Sequence, residues 1–363
     1  MTVPTWKIRR EAIRLGRQLR GIPEVWTDRL QRKNLDESVA EGLPLFEGSI
    51  EERKKIAIIL VFQPHGLLPS CIEQCHWMVE NGYAPLVVAN HDLQQTDIER
   101  LRPVTWRSVI RPNFGYDFGG YRDALISLTQ WGVSPDTIMI LNDSVWLPVH
   151  PETNLLHRLE THPADIAGSI ERVREEERFL ESYCYRIKGD LLGQPAFQDF
   201  WVSLQLTSNK YYVIRRGERG FSRAMRNAGY SVGAVYDPPG MMGALREAEP
   251  EFLRKTLSYA AFLPIEKLRE WRALCEAETT AEWRNRALSF IDSTLSMRQG
   301  YSTFPYAAAH FMNYPFLKKS KDRASTEWRA QFLKAVDAAD IPAPPETILL
   351  ELRQHVARDP DVS

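Results

Sequence analysis

Two apolar runs decide the fold class: Ile56-Ala57-Ile58-Ile59-Leu60-Val61-Phe62 and, one helix length later, Ala84-Pro85-Leu86-Val87-Val88-Ala89-Asn90. Neither alternates with polar residues, the pattern of strands covered on both faces, and such strands belong to parallel sheets. Parallel neighbours need a crossover, and Ser70 to Asn81 reads as its helix. Working outward, a third strand is expected over Thr105 to Ile110, a helix over about Gly120 to Thr129, and a fourth strand over Thr137 to Leu141. This alternation predicts an α/β, Rossmann-like mixed sheet, mainly parallel and flanked by helices. No G-x-G-x-x-G follows the first strand, so a standard dinucleotide site is not expected.

Further along, Asp165 to Ile170 and Leu180 to Ile187 are weaker strand candidates on either side of the charged segment Glu171 to Arg178. Gly217 to Asp237 reads as a loop, a short helix from about Arg219 to Asn227, a stop at Gly229 and a strand over Ser231 to Tyr236. Pro238-Pro239-Gly240 breaks the chain, and the segments after it (Pro250 to Tyr259, Pro264 to Ala277, Glu282 to Met297, Glu327 to Ala339) carry helical patterns. The expected division is a basic helical extension over 1–50, an α/β domain over 51–240 and a helical C-terminal region over 241–363.

The 363 residues suffice for a substantial core, and a net charge of −1 leaves no nucleic-acid footprint. No apolar run approaches the roughly 20 residues that span a bilayer, and the amino terminus lacks a signal peptide's apolar core, so the expected location is the cytoplasm. Cys71, Cys75, Cys184 and Cys275 form no paired CxxC and read as reduced thiols. Near the start, Lys7, Arg9, Arg10, Arg14, Arg17 and Arg20 accompany Ile8, Ala12, Leu15 and Leu19 at helical spacing. Such a helix either lies on an anionic membrane surface, peripheral to the cell membrane's inner face, or packs on its own domain.

The candidate chemistry lies where strands end. In TIMILNDSVWLP, Thr137 to Pro148, the fourth strand stops at Asn142-Asp143-Ser144. A carboxylate there can hold a divalent metal against diphosphate oxygens, with Asn142 and Ser144 adding ligands; the same triplet also suits a capped turn. Upstream, Arg111 to Tyr121 (RPNFGYDFGGY) aims Asn113, Gly115 and Asp117 at the same edge. Gly119-Gly120 would let the next helix begin close to a ligand, and Arg111 or Arg122 would neutralise phosphate. Glu218, in a Gly-flanked loop before a helix, is placed to act as a general base or to complement the helix dipole. His65, in Gln63-Pro64-His65-Gly66, ends the first strand.

This order of motifs resembles the GT-A glycosyltransferases and, more closely, the rhamnan synthesis F family of bacterial polysaccharide glycosyltransferases. The resemblance rests on Asn113-Phe-Gly115-Tyr-Asp117, Asn142-Asp143-Ser144 before Pro148, Ser182-Tyr183, Glu218 ahead of Gly229-Tyr230, and Pro315-Phe316-Leu317-Lys318; it spans about residues 55–323. It implies a nucleotide-sugar-binding catalytic domain, and transfer of a deoxyhexose such as rhamnose from a nucleoside-diphosphate sugar to a glycan or lipid-linked glycan in surface-polysaccharide synthesis. The donor would meet Phe62, Gln63, His65, Asn90, Asn113, Gly115, Asp117, Arg122, Asn142 and Ser144, and the acceptor Ser182 and Tyr183. Asp143 would carry the diphosphate and any Mn²⁺ or Mg²⁺, and Glu218 would act as the base of an inverting displacement. The triplet has one carboxylate where an Asp-x-Asp motif has two, which leaves metal dependence open and makes Lys210, Arg215 and Arg216 alternative cations. A non-catalytic scaffold on a degenerate transferase fold is the competing reading, and a nucleotidyltransferase the third.

Overall fold

The computed structural model describes residues 27–357 apart from 175–176, 239 and 297–299. The basic stretch Lys7 to Arg20 lies outside them. The first described helix, α1, covers 27–41. The strands of the first half are β1 (Leu45–Glu47), β2 (Lys55–Val61), β3 (Ala84–Ala89), β4 (Arg107–Ile110), β5 (Thr137–Asn142) and β6 (Val145–Trp146); the helices between them are α2 (Pro69–Glu80), α3 (Gln95–Leu101) and α4 (Tyr116–Gln130). Then come α5 (Leu155–Thr161), β7 (Ile166–Arg174), β8 (Glu177–Leu180), β9 (Cys184–Lys188), α6 (Pro195–Ser203), α7 (Lys210–Val213), α8 (Gly220–Asn227) and β10 (Val232–Tyr236).

The expected α/β architecture is present. Nine strands form one sheet in the order β1-β4-β3-β2-β5-β9-β7-β10, with β8 paired to the outer end of β7. The central pairs β4-β3, β3-β2 and β2-β5 are parallel, whereas β9 runs antiparallel to both β5 and β7. The chain therefore leaves β2 toward β3 and β4 on one side and returns on the other as β5. Where the direction of winding reverses, the strand ends splay into the crevice that α/β sheets use for ligands. Here the crevice lies beyond Val61 and Asn142.

Residues Ile56 to Val61 of β2 are fully buried and divide by parity. Ala57, Ile59 and Val61 face one apolar core, and Ile56, Ile58 and Leu60 the other. Burying each Ile, Leu or Val contributes about 1.5–3 kcal/mol, which is why an unbroken apolar run settles in mid-sheet. The C-terminal helices α9 (Met241–Glu247), α10 (Pro250–Ser258), α11 (Ile265–Glu276), α12 (Ala281–Leu295), α13 (Gly300–Thr303), α14 (Pro305–Ala307), α15 (Arg323–Asp337) and α16 (Glu346–Ala357) follow β10. Their Leu245, Trp283, Phe290 and Phe332 share the core on the face of Ala57, Ile59 and Val61. One strand interrupts the helices: β11 (Leu317–Lys318) pairs antiparallel with β6. Among the described helices none is long and apolar enough to cross a membrane. All four cysteines are free thiols, and Cys71 and Cys75 are buried on one face of α2.

One boundary differs in a way that matters. Helix α4 begins at Tyr116, not at Gly120, because Gly115 in the left-handed conformation (φ 80°) turns the chain into it. Gly119 and Gly120 are thus inside the helix, where they permit close packing. A Cβ on Gly120 would lie 1.8 Å from Leu60 Cδ1, and one on Gly119 would lie 2.2 Å from the Phe114 carbonyl oxygen. Larger residues would push α4 off β2 and move Asp117 with it.

Candidate active site

Asp143 stands one residue beyond β5, and its Oδ2 accepts from the Phe62 backbone N–H (2.9 Å) and from Gln63 Nε2 (3.0 Å). Gln63 Oε1 in turn accepts from the Leu68 N–H at 2.6 Å. The ends of β2 and β5 are thereby tied together across the switch point by a carboxylate. Phe62 is exposed and meets His91 edge-on, with ring centroids 6.1 Å apart. An exposed aromatic ring over the crevice suits a stacked nucleotide base.

Beside this lies a second acid. Asp117, in the first turn of α4, accepts from Asn142 Nδ2 at 3.0 Å, while Asn142 Oδ1 accepts from the Ser144 N–H (3.1 Å) and hydroxyl (2.5 Å). Burial, with the neighbouring Asp143 charge, pushes Asp117 up to about 6 against the opposing pull of Lys210 and the Asn142 bond. One turn along, the Tyr121 hydroxyl donates to the Ser182 carbonyl oxygen at 2.8 Å and also engages Asn142. The Ser182 N–H donates to Glu218 Oε1 at 2.9 Å. Through Tyr121 and Ser182 the Asp117/Asn142 pair is joined to Glu218.

Glu218 sits not in an open loop but in a π-helical turn, Ile214–Arg219, continuous with α7 and α8. Gly217 makes this possible: a Cβ there would lie 2.4 Å from the Phe118 ring. Burial, with the charge of Glu181, pushes Glu218 up to about 7, opposed by Ser182 and Lys318. Glu181 is itself buried and ion-paired to Arg172 and, at 3.5 Å, to Lys318. Burial works to raise it, but Lys318 and Arg172 outweigh that and leave it below its ordinary value. Equal carboxyl groups thus differ in readiness to take a proton because their surroundings differ.

Lys318 enters on β11, and Lys319 follows it. The strand's pairing sets Lys318 against Val145 and the Lys319 N–H on the Ser144 carbonyl oxygen at 2.8 Å. Loss of water lowers Lys319 from its ordinary value, and Asp143 and Glu351 partly restore it. Three acids of the crevice therefore each have a lysine in electrostatic reach: Lys210 for Asp117, Lys318 for Glu218 and Lys319 for Asp143. Among the described residues, no group of three or more His, Cys, Asp or Glu side chains forms a cation cage.

A family model described as rhamnan synthesis protein F matches residues 86–292, more than half of the chain. The chain belongs to the rhamnan synthesis protein F family. The match takes in Asn113, Asp117, Asp143, Ser182 and Glu218, the residues of both halves of the crevice. An uncharacterized protein of Sinorhizobium fredii, y4gN, is 27% identical over 346 residues, covering 93% of this chain and 90% of its own length. Among solved structures, the chain is similar to the Pyrobaculum calidifontis mannosyltransferase PcManGT in complex with GDP-Man and Mn²⁺. That likeness has 10% identity, 92% of this chain and 94% of the other covered, and a TM-score of 0.31. It is also similar to S. aureus TarS 1–349 in complex with UDP, at 12% identity, 83% and 91% coverage and a TM-score of 0.27.

Within this family member the structure redistributes several expected roles. Arg122 is no phosphate ligand: it is buried, donates to the Trp201 carbonyl oxygen and pairs with Asp123 and Asp36. Arg111 is spent likewise on Asp123 (2.6 Å), Asn90 Oδ1 (2.7 Å) and the Phe114 carbonyl oxygen (2.6 Å). Asn90 is not open to a base, since it is buried and donates to Asn113 Oδ1 (3.2 Å) and the Tyr116 carbonyl oxygen (3.3 Å). These residues hold the loop that launches α4. Gly115 is buried against Leu206, and Asn113, Ser144 and His65 are exposed on the rim. Ser182 joins the site through both its backbone and its side chain, which bond Glu218, and the Tyr183 hydroxyl meets that of Tyr314 at 2.6 Å, which buries it beneath the rim. Arg215 and Arg216 are exposed, with Arg216 over the Tyr212 ring. Tyr121, Glu181 and Lys319 were absent from the expected set. The one sequence signal for the lysine was the Pro315 to Lys318 motif, one residue short of it.

Proposed function

We propose that this family member is a glycosyltransferase that moves a sugar from a nucleoside-diphosphate donor to a hydroxyl of a glycan acceptor with inversion at the anomeric carbon. The observation that carries the reading is Glu218, a carboxyl poised at about 7 and wired through Ser182 and Tyr121 to the acids at the switch point. A base near the working pH is efficient because it is both deprotonated and willing to accept a proton. Glu218 takes the acceptor's hydroxyl proton as that oxygen bonds to the anomeric carbon; the carbon–oxygen bond to the diphosphate breaks on the opposite face, and the nucleoside diphosphate leaves. Phe62 stacks on the base, Asn113 and Ser144 line the rim, and the acceptor approaches past Ser182. The family's description favours rhamnose or a related deoxyhexose as the sugar and a growing surface polysaccharide, free or lipid-linked, as the acceptor. Residues 7–20 would bring the enzyme to such a lipid at the membrane face.

The crevice fits one hard divalent cation. Asp143 raises Asp117 by repulsion, a conflict that Mn²⁺ or Mg²⁺ would relieve, and such ions are held by one or two carboxylates plus water and phosphate. Asp143 and Asp117 would hold it, and it would supply counter-charge to the departing diphosphate.

The test is thermal stability against UDP-, GDP-, dTDP- and CMP-sugars with and without Mn²⁺ or Mg²⁺, followed by the product's anomeric configuration. One nucleotide should raise the melting temperature, because it binds only the native state. No stabilisation of folded protein by any of them would favour a scaffold. Retention of configuration would remove Glu218 from its role.

A further inference from the structure

We propose that Lys319, brought to the sheet edge by the C-terminal region, grips the donor's diphosphate, so that the nucleotide site is completed by a segment outside the α/β sheet. The inference rests on the transferase reading above.

Backbone pairing fixes the position: the Lys319 N–H binds the carbonyl oxygen of Ser144, the residue next to Asp143. Extended backbone carried one residue past β11 sends Lys318 toward Glu181 and Lys319 the other way, with its ammonium 5.3 Å over the Trp146 ring. An ammonium has three hydrogens to donate. Among the described residues its one hydrogen-bond partner is Ser70 Oγ, at 3.1 Å. The two carboxylates in electrostatic reach are otherwise engaged. Glu351 accepts from the Ser70 N–H (2.7 Å) and Trp146 Nε1 (2.9 Å), and Asp143 from Phe62 and Gln63. A half-buried cation is thus held beside Asp143 with hydrogens unspent.

The other cations near the crevice are committed or, as with Lys210, pull on Asp117 and not on Asp143. Arg111 and Arg122 are locked to Asp123, Lys318 pairs with Glu181, Arg100 binds the Leu67 carbonyl oxygen, and Lys210 is exposed. Diphosphate oxygens at Asp143 would find in Lys319 a donor that needs no rearrangement of an existing ion pair.

The experiment measures affinity of the full chain for UDP, GDP and dTDP, each against its monophosphate, in wild type, Lys319→Met and Lys319→Arg. Methionine keeps an apolar stem on Trp146 and removes only the charge. The diphosphate that wild type binds should weaken about tenfold or more in Lys319→Met, as expected for a charge-assisted hydrogen bond, with a smaller change for the monophosphate and recovery in Lys319→Arg. A Lys319→Met protein that melts like wild type and binds diphosphate equally well overturns the inference and leaves the transferase reading standing. If wild type binds none of the three, that reading falls and the inference falls with it. Amine labelling of wild type, read by mass spectrometry, decides the matter should Lys319→Met not fold. Bound diphosphate should protect Lys319, and unchanged labelling overturns the inference.

Discussion

The two ends of the crevice hold the same chemical group in different surroundings. At the end of β5, Asp143 is fastened by a backbone N–H and a side-chain amide, both aimed at one oxygen. In the π-helical turn, Glu218 takes both the N–H and the side chain of Ser182, but burial and the charge of Glu181 beside it outweigh them. Burial beside another acid raises a carboxyl and makes it a proton acceptor even with donors at hand. The difference teaches that a carboxylate's role is set by its neighbours, and that the roles proposed for Asp143 and Glu218 are not interchangeable.

Four experiments break or sharpen that contrast. The largest effect is expected from Glu218→Gln, which should lower turnover by about a hundredfold to ten-thousandfold while leaving donor affinity intact, the range for loss of a general base. Transfer at the native rate would end the assignment. Asp143→Asn should act the other way, weakening nucleotide binding by about tenfold to a hundredfold in calorimetric titration. If it slows turnover at saturating donor and binds normally, the two ends do not divide the work as described. Third, wild-type turnover should rise with pH through about 7 as Glu218 deprotonates, and Glu181→Gln should move that limb to lower pH by removing the charge that adds to burial in raising it. An unmoved limb would assign it to another group.

The smallest effect is on stability. Because the folded pKa of Glu218 is raised, its favourable contribution is present below the ordinary carboxyl value near 4.5 and is lost as pH rises through about 7. Glu218→Gln should therefore melt on the order of a few °C above wild type at pH 8 and lose that margin at pH 5. Equal melting temperatures at both pH values would mean that Glu218 is not strained by its surroundings.

The centre of the sheet was legible because burial on both faces leaves no room for polar residues, so β2, β3 and β5 appear as unbroken apolar runs. Asp143 was legible for a related reason, since it is where such a run stops. Arg111 and Arg122 misled because a cation after a strand looks the same whether it faces a ligand or a buried acid, and Asp36, one of the partners, lies far back in the chain. The start of α4 was misplaced because two glycines read as a turn also serve where a helix must lie against a strand. Lys319 was out of reach for a third reason: β11 has two residues, too few for any periodicity, and its partner β6 lies in the other half of the chain.

That last pairing also orders events in time. Synthesis runs from the amino terminus, so Asp143, Glu181 and Glu218 all emerge from the ribosome well before Lys318 and Lys319 exist. Until β11 closes on β6, Asp143 and Glu218 stand without the lysines that face them, and of the three lysines only Lys210, near Asp117, is already in the chain.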